Sequence, residues 1–168
     1  DELAIVIALG RLQLALRSET LWRRPALSRH WPAPRVLAAT APGERHGLGA
    51  VLAAETCWQA GWRVSCDFPH DDAALESLVA RDWHDVLLLS LSDVFKREHR
   101  LEHLHDSIAK ARRASVNPDL VVVARGRAFE APAAVSAVGA DAVNGSAREL
   151  EAVITEVLLA PAGAAGGT

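Results

Sequence analysis

Val86 to Ser90 reads VLLLS, an apolar run with no polar alternation along it. A strand with one wet face alternates polar and apolar residues. A run apolar at successive positions is buried on both faces, as when helices cover both sides of a parallel sheet. This segment therefore demands an α/β arrangement. Other segments of matching character flank it. Val36–Thr40, Trp62–Cys66, Leu120–Ala124 and a short Ala142–Val143 read as further strands. The intervening stretches read as helices: 48–60 closed by Gly61, 72–80 capped by Asp71 or Asp72, 97–114, 131–138 and 147–159. Five strands alternating with helices predict a doubly wound parallel sheet of order 2-1-3-4-5 with right-handed crossovers.

The chain's 168 residues suit one such domain. Half the residues are hydrophobic and 23% are charged, enough apolar surface to build a core. Residues 1–34 read as an N-terminal helical extension with a Trp- and Pro-containing linker, residues 35–160 as the α/β domain, and residues 161–168 as a disordered tail. Asp1 at the start and the lack of methionine suggest an excised domain. Leu3–Leu9 lacks a basic leader and a cleavage site and runs into charged residues, so neither a signal peptide nor a membrane span is expected. Cys57 and Cys66 lack C-x-x-C spacing and read as inert packing in a reducing cytoplasm. The net charge of −3 with interspersed signs offers no field for direct DNA binding.

In such a sheet, ligands bind beyond the carboxyl ends of the strands, at the switch between strands one and three. The loops there hold PGERHGLG (Glu44, His46, Gly47, Gly49), LLLSLS (Ser90, Leu91) and VVVARGRAF (Arg125, Gly126). An imidazole binds a metal through one ring nitrogen when an acceptor on the other fixes its tautomer, and Glu44, two residues away, is a candidate acceptor. Gly47 and Gly49 allow a close backbone approach. The alternative is a tight turn carrying a surface histidine.

These residues resemble the vitamin B12-binding domain, a flavodoxin-like fold. In that family an acidic-x-His-x-x-Gly loop supplies a metal ligand, a Ser-x-Leu segment follows the third strand and a Gly-Gly pair follows the fourth. The resemblance implies that His46 is the metal ligand. Together with GERHGLG, the stretch Arg112, Arg113, Ala114, Ser115, Asn117, Pro118 is similar to a narrower group, the SCHIC domains (sensor containing haem instead of cobalamin) of the AppA/PpaA/AerR antirepressors. It implies a cytoplasmic, non-enzymatic haem-binding sensor. Its partner would be a PpsR/CrtJ-type repressor of photosynthesis genes, bound in response to redox and light, with DNA reached only through the repressor. In the AppA branch a flavin belongs to an upstream domain outside these residues.

One departure bears on the ligand. Arg125 stands where the cobalamin family has the first glycine of the pair. Pointing inward, it would fill the channel of the cobalamin tail and could pair with a haem propionate. Pointing outward, it would only be solvated. Cobalamin, in a photoreceptor or a corrinoid carrier, is the alternative ligand. A cofactor-free receiver is disfavoured because Ala39, Thr40 and Ala41 replace its acidic cluster. His99, Glu102 and His103 spell H-x-x-E-H, but on a helix so charged that a solvated face is expected instead of a zinc site. Trp58, Trp62 and Trp83 read as core packing, while Trp22 and Trp31 are candidates to cover a ligand or partner surface.

Overall fold

The structure, a computed structural model, describes residues 32–92, 97–126, 129, 138–146 and 148–159, together with residues 11, 12 and 15, which are helical. For residues 97–100 it describes the backbone only. Most of the expected N-terminal helix, Trp22, Trp31, most of the 131–138 helix and the tail lie outside the described residues.

Five parallel strands form one sheet in the order β2-β1-β3-β4-β5. The strands are β1 (Arg35–Thr40), β2 (Arg63–Asp67), β3 (Val86–Ser90), β4 (Val121–Arg125) and β5 (Ala142–Asn144). The helices are α1 (Leu48–Gln59), α2 (Asp72–Arg81), α3 (Arg97–Ala114) and α4 (Leu150–Leu159). β3 is buried at every position, between β1 and β4, as its unbroken apolar run requires.

Successive side chains point to opposite faces, so the sheet separates two cores. Leu37, Ala39, Leu87, Leu89, Val122 and Ala124 pack with Leu75 and Val79 of α2 and with Leu104, Ile108 and Ala111 of α3. On the other face Val36, Ala38, Val86, Leu88 and Val123 pack with Ala53 and Cys57 of α1 and with Leu150 and Ile154 of α4. Each leucine or valine fully buried in this way contributes roughly 1.5–3 kcal/mol.

Helix ends follow local chemistry. The Asp71 carboxylate accepts the Ala74 N–H at 2.8 Å and starts α2. Gly61, at φ +81°, ends α1, and the Trp62 N–H returns to the Cys57 carbonyl at 3.2 Å. That turn consumes Trp62, so β2 begins at Arg63, one residue later than expected. β4 is likewise shifted, because the Leu120 N–H closes a turn on the Asn117 carbonyl. α4 begins at Leu150 instead of residue 147. Trp62 is buried, but Trp83 is nearly half exposed, with its indole N–H on Asp85 Oδ1 at 3.1 Å; it is not core.

Arg112 and Asn117 of the RRASVNP stretch are clasps. Arg112 donates to the Leu120 carbonyl and to Asp141 Oδ2, each at 2.7 Å. Asn117 Nδ2 donates to the His84 carbonyl at 2.8 Å. Both tie the end of α3 to neighbouring strands and their connections. Neither lies at the carboxyl edge of the sheet.

Candidate functional site

The carboxyl edge is built outward from β1. Ala41-Pro42-Gly43-Glu44 forms a tight turn, with Gly43 at φ +76° and the Glu44 N–H on the Ala41 carbonyl at 2.9 Å. Proline second and a left-handed glycine third are what a type II turn requires. The turn folds Glu44 back over the sheet edge, where its side chain is almost wholly buried.

Glu44 then joins two loops. Its Oε1 accepts His46 Nδ1 at 2.8 Å and the His46 backbone N–H at 2.9 Å. Its Oε2 accepts the Ser92 hydroxyl at 2.5 Å and the Ser92 N–H at 3.2 Å. Burial pushes the Glu44 pKa up, but the bonds from Ser92 and His46 outweigh it and hold the carboxyl down at about 2. Glu44 is thus an anion at neutral pH. With Nδ1 donating to it, the imidazole carries a lone pair on Nε2, which makes no hydrogen bond among the described residues, and the side chain is 55% exposed. Such an imidazole can ligate a metal. Ser92 was not among the residues singled out from the sequence; the repeated serine of SLS was its only signal.

Gly126 is fixed by contact. It sits at φ +133°, and a Cβ there would lie 2.0 Å from the Leu91 carbonyl oxygen. Leu91 itself is buried, and its N–H donates to the Arg125 carbonyl at 2.9 Å. Gly49 lies over Ser90, where an added Cβ would make ordinary contact with the serine at 3.5 Å. Gly47 precedes α1, and the Phe68 ring occupies the space where its Cβ would be. Phe68 is a second residue that sequence reasoning missed.

Arg125 points inward. Its side chain is buried, and Nη1 donates to the Gly49 carbonyl at 2.8 Å. The guanidinium lies on the α1 and α4 side of the sheet, under the start of α1, and burial lowers its pKa. The structure brings Glu44, His46 and Ser92 together, and separately Gly49, Ser90 and Arg125. The first group is open to solvent at the imidazole; the second is closed.

A small cavity of about 60 Å³ opens beside the His46 loop, lined by Ala41, Pro42, Glu44, Leu91, His103, Leu104 and Ser107. On its α3 side, Asp72 accepts Ser107 Oγ and Lys110 Nζ at 2.6 Å each, with His103 Nε2 3.9 Å away. Among the described residues no group of three or more His, Cys, Asp and Glu side chains is placed to hold a metal. Among them, too, no helix is long and apolar enough to cross a membrane.

No protein-family model matches the chain, and no curated protein is significantly similar to it. Solved structures do match. A cobalamin-binding protein from Desulfitobacterium hafniense superposes with a TM-score of 0.62 at 16% identity, over 75% of this chain and 60% of that one. The monomethylamine corrinoid protein of Methanosarcina barkeri superposes with a TM-score of 0.63 at 17% identity, over 92% of this chain and 67% of that one. The chain thus spans about 60% of the first neighbour's length. At these identities the likeness establishes architecture: the protein has the flavodoxin-like α/β fold, with the 2-1-3-4-5 sheet, in the form found in cobalamin-binding proteins.

Proposed function

We propose that this domain is a non-enzymatic tetrapyrrole sensor in which His46 Nε2 would hold the metal, with haem as the ligand. The observation that carries this reading is the Glu44–His46–Ser92 arrangement. A buried carboxylate pins Nδ1 and leaves Nε2 of the half-exposed imidazole to ligate. The fold's likeness to cobalamin- and corrinoid-binding proteins supports a macrocycle at this edge. The cavity of about 60 Å³ beside the His46 loop is far below the several hundred Å³ of an enclosed ligand pocket and would not itself enclose a macrocycle.

Arg125 favours haem over cobalamin. Its buried guanidinium, bonded to Gly49, stands between the start of α1 and the sheet, where the resemblance puts the channel for the cobalamin tail. Haem has no such tail. When bound, haem would supply a redox-active iron, which His46 Nε2 would hold. The protein's own part would be to couple a change at His46 to a second loop through Glu44, which bonds both His46 and Ser92, at the entrance to the segment leading to α3. A cytoplasmic antirepressor that docks a PpsR/CrtJ-type repressor of photosynthesis genes would read such a change as a population shift.

Absorption spectra of the domain titrated with haem and with hydroxocobalamin test the ligand. A ligated-haem spectrum at stoichiometric haem and no change with cobalamin are expected; the reverse makes cobalamin the ligand and a carrier the better reading. Co-purification with a PpsR/CrtJ-type repressor tests the partner. Haem-independent absence of that complex removes the antirepressor assignment.

A further inference from the structure

Thr40, Ser90, Arg125 and Asn144 are register partners across β1, β3, β4 and β5. In-register neighbours of a parallel sheet project to the same face, so these four form one polar row at the carboxyl edge, on the side covered by α1 and α4. All four are more than nine-tenths buried. Thr40 Oγ1, Ser90 Oγ and Asn144 Oδ1 have no hydrogen-bond partner among the described residues. Among the described residues Arg125 bonds the Gly49 carbonyl, and no carboxylate pairs with it. Among the described residues, a buried cation without a counter-ion beside two orphaned hydroxyls and an orphaned amide oxygen is a costly arrangement for a row with no ligand.

Above the row, α1 begins at Gly47 with no side chain capping it and no acidic residue in its first turn. The unpaired N–H groups of a helix start carry partial positive charge. Gly49 of that turn lies against Ser90. The Thr40 and Ser90 hydroxyls, the Arg125 guanidinium and the helix start therefore lie side by side, and each can donate to an anion; Asn144 lies two strands from Ser90, and its orphaned atom is an oxygen that accepts.

We propose that this row and the first turn of α1 form a binding site for one oxyanion of the carboxylate class. The carboxylate takes the place of the Gly49 carbonyl on Arg125 and accepts from Ser90 and Thr40. Loss of the Arg125–Gly49 bond frees the first turn of α1 to make room. The carboxylate has two possible sources, a propionate of a bound haem or a small free acid. The proposal stands without the haem reading, since the row is complete in the ligand-free chain.

The test has two arms. In the first, thermal unfolding of the unliganded protein is followed in sodium acetate and in sodium chloride at equal ionic strength. A free acid as ligand raises the midpoint by roughly 5 °C more in acetate than in chloride, a difference absent from Arg125→Gln and Ser90→Ala. In the second, the protein is titrated with haem and with its dimethyl ester. A propionate as ligand makes haem bind about tenfold tighter than the ester, and both variants abolish the difference. A response in either arm that the variants remove supports the site and names its source. Acetate no better than chloride together with equal binding of haem and ester overturns it, as does any response that both variants retain. If haem fails to bind, the haem reading falls and the acetate arm alone decides.

Discussion

Glu44 accepts hydrogen bonds from His46 and Ser92 through both carboxylate oxygens, so its charge holds two loops together. Its carboxyl titrates at about 2 against an ordinary 4.5. A depressed carboxyl stabilises the fold fully above the unfolded value, and that contribution fades as pH falls from about 4.5 towards 2. Glu44→Gln should therefore cost on the order of 2–3 kcal/mol at pH 7 and little near pH 2. Urea unfolding of both proteins across that range measures the difference, and a pH-independent gap would show that the charge is immaterial. Gly126 is a second residue with a sharp expectation. A Cβ 2.0 Å from the Leu91 carbonyl, at φ +133°, cannot be relieved by moving a flexible side chain. Gly126→Ala should destabilise by more than about 3 kcal/mol, whereas Gly49→Ala, meeting Ser90 at 3.5 Å, should cost under about 1 kcal/mol.

At the scale of the elements, the helices covering the two faces are held by different means. α1 presents Ala53 and Cys57 to the sheet, and burial pushes the Cys57 thiol up to about 12. A thiol that remains protonated and covered should resist disulfide reagents in the native protein and react only on unfolding. Rapid native labelling of Cys57, read by peptide mass, would contradict this packing. The end of α3 is anchored by Arg112, which bonds the Leu120 carbonyl, and Asp141, which also takes the Val122 N–H at 2.7 Å. Arg112→Ala should lower stability by about 2 kcal/mol, measured by urea unfolding, without altering ligand binding at the sheet edge. The RRASVNP stretch thus matters through packing, which its resemblance to a regulatory family does not disclose.

For the whole molecule, the architecture was legible because β3 had only one physically acceptable place. Val86–Ser90 had to be central, and the alternation of short apolar runs with helical segments left little choice of order. Element boundaries were legible to within a residue or so, with one-residue shifts where a turn consumed Trp62 and Leu120, except that α4 begins three residues later than expected. At the candidate site, the Glu44 to His46 contact could be anticipated because the two residues are local. Ser92 on Glu44 and the Gly49 carbonyl on Arg125 could not, since both join segments more than 40 residues apart. Trp83 misled for a related reason: an aromatic residue just before a strand looks like core until the neighbouring turn leaves it outside. What unites these features is a rigid sheet that holds one pinned histidine at its open edge. Ligation of a tetrapyrrole metal by His46 Nε2 is decided by titrating wild type and His46→Ala with haem, then adding free imidazole to the variant. Wild type should give a ligated-haem spectrum, the variant should lose it, and imidazole should restore it. An unchanged spectrum in His46→Ala would contradict it.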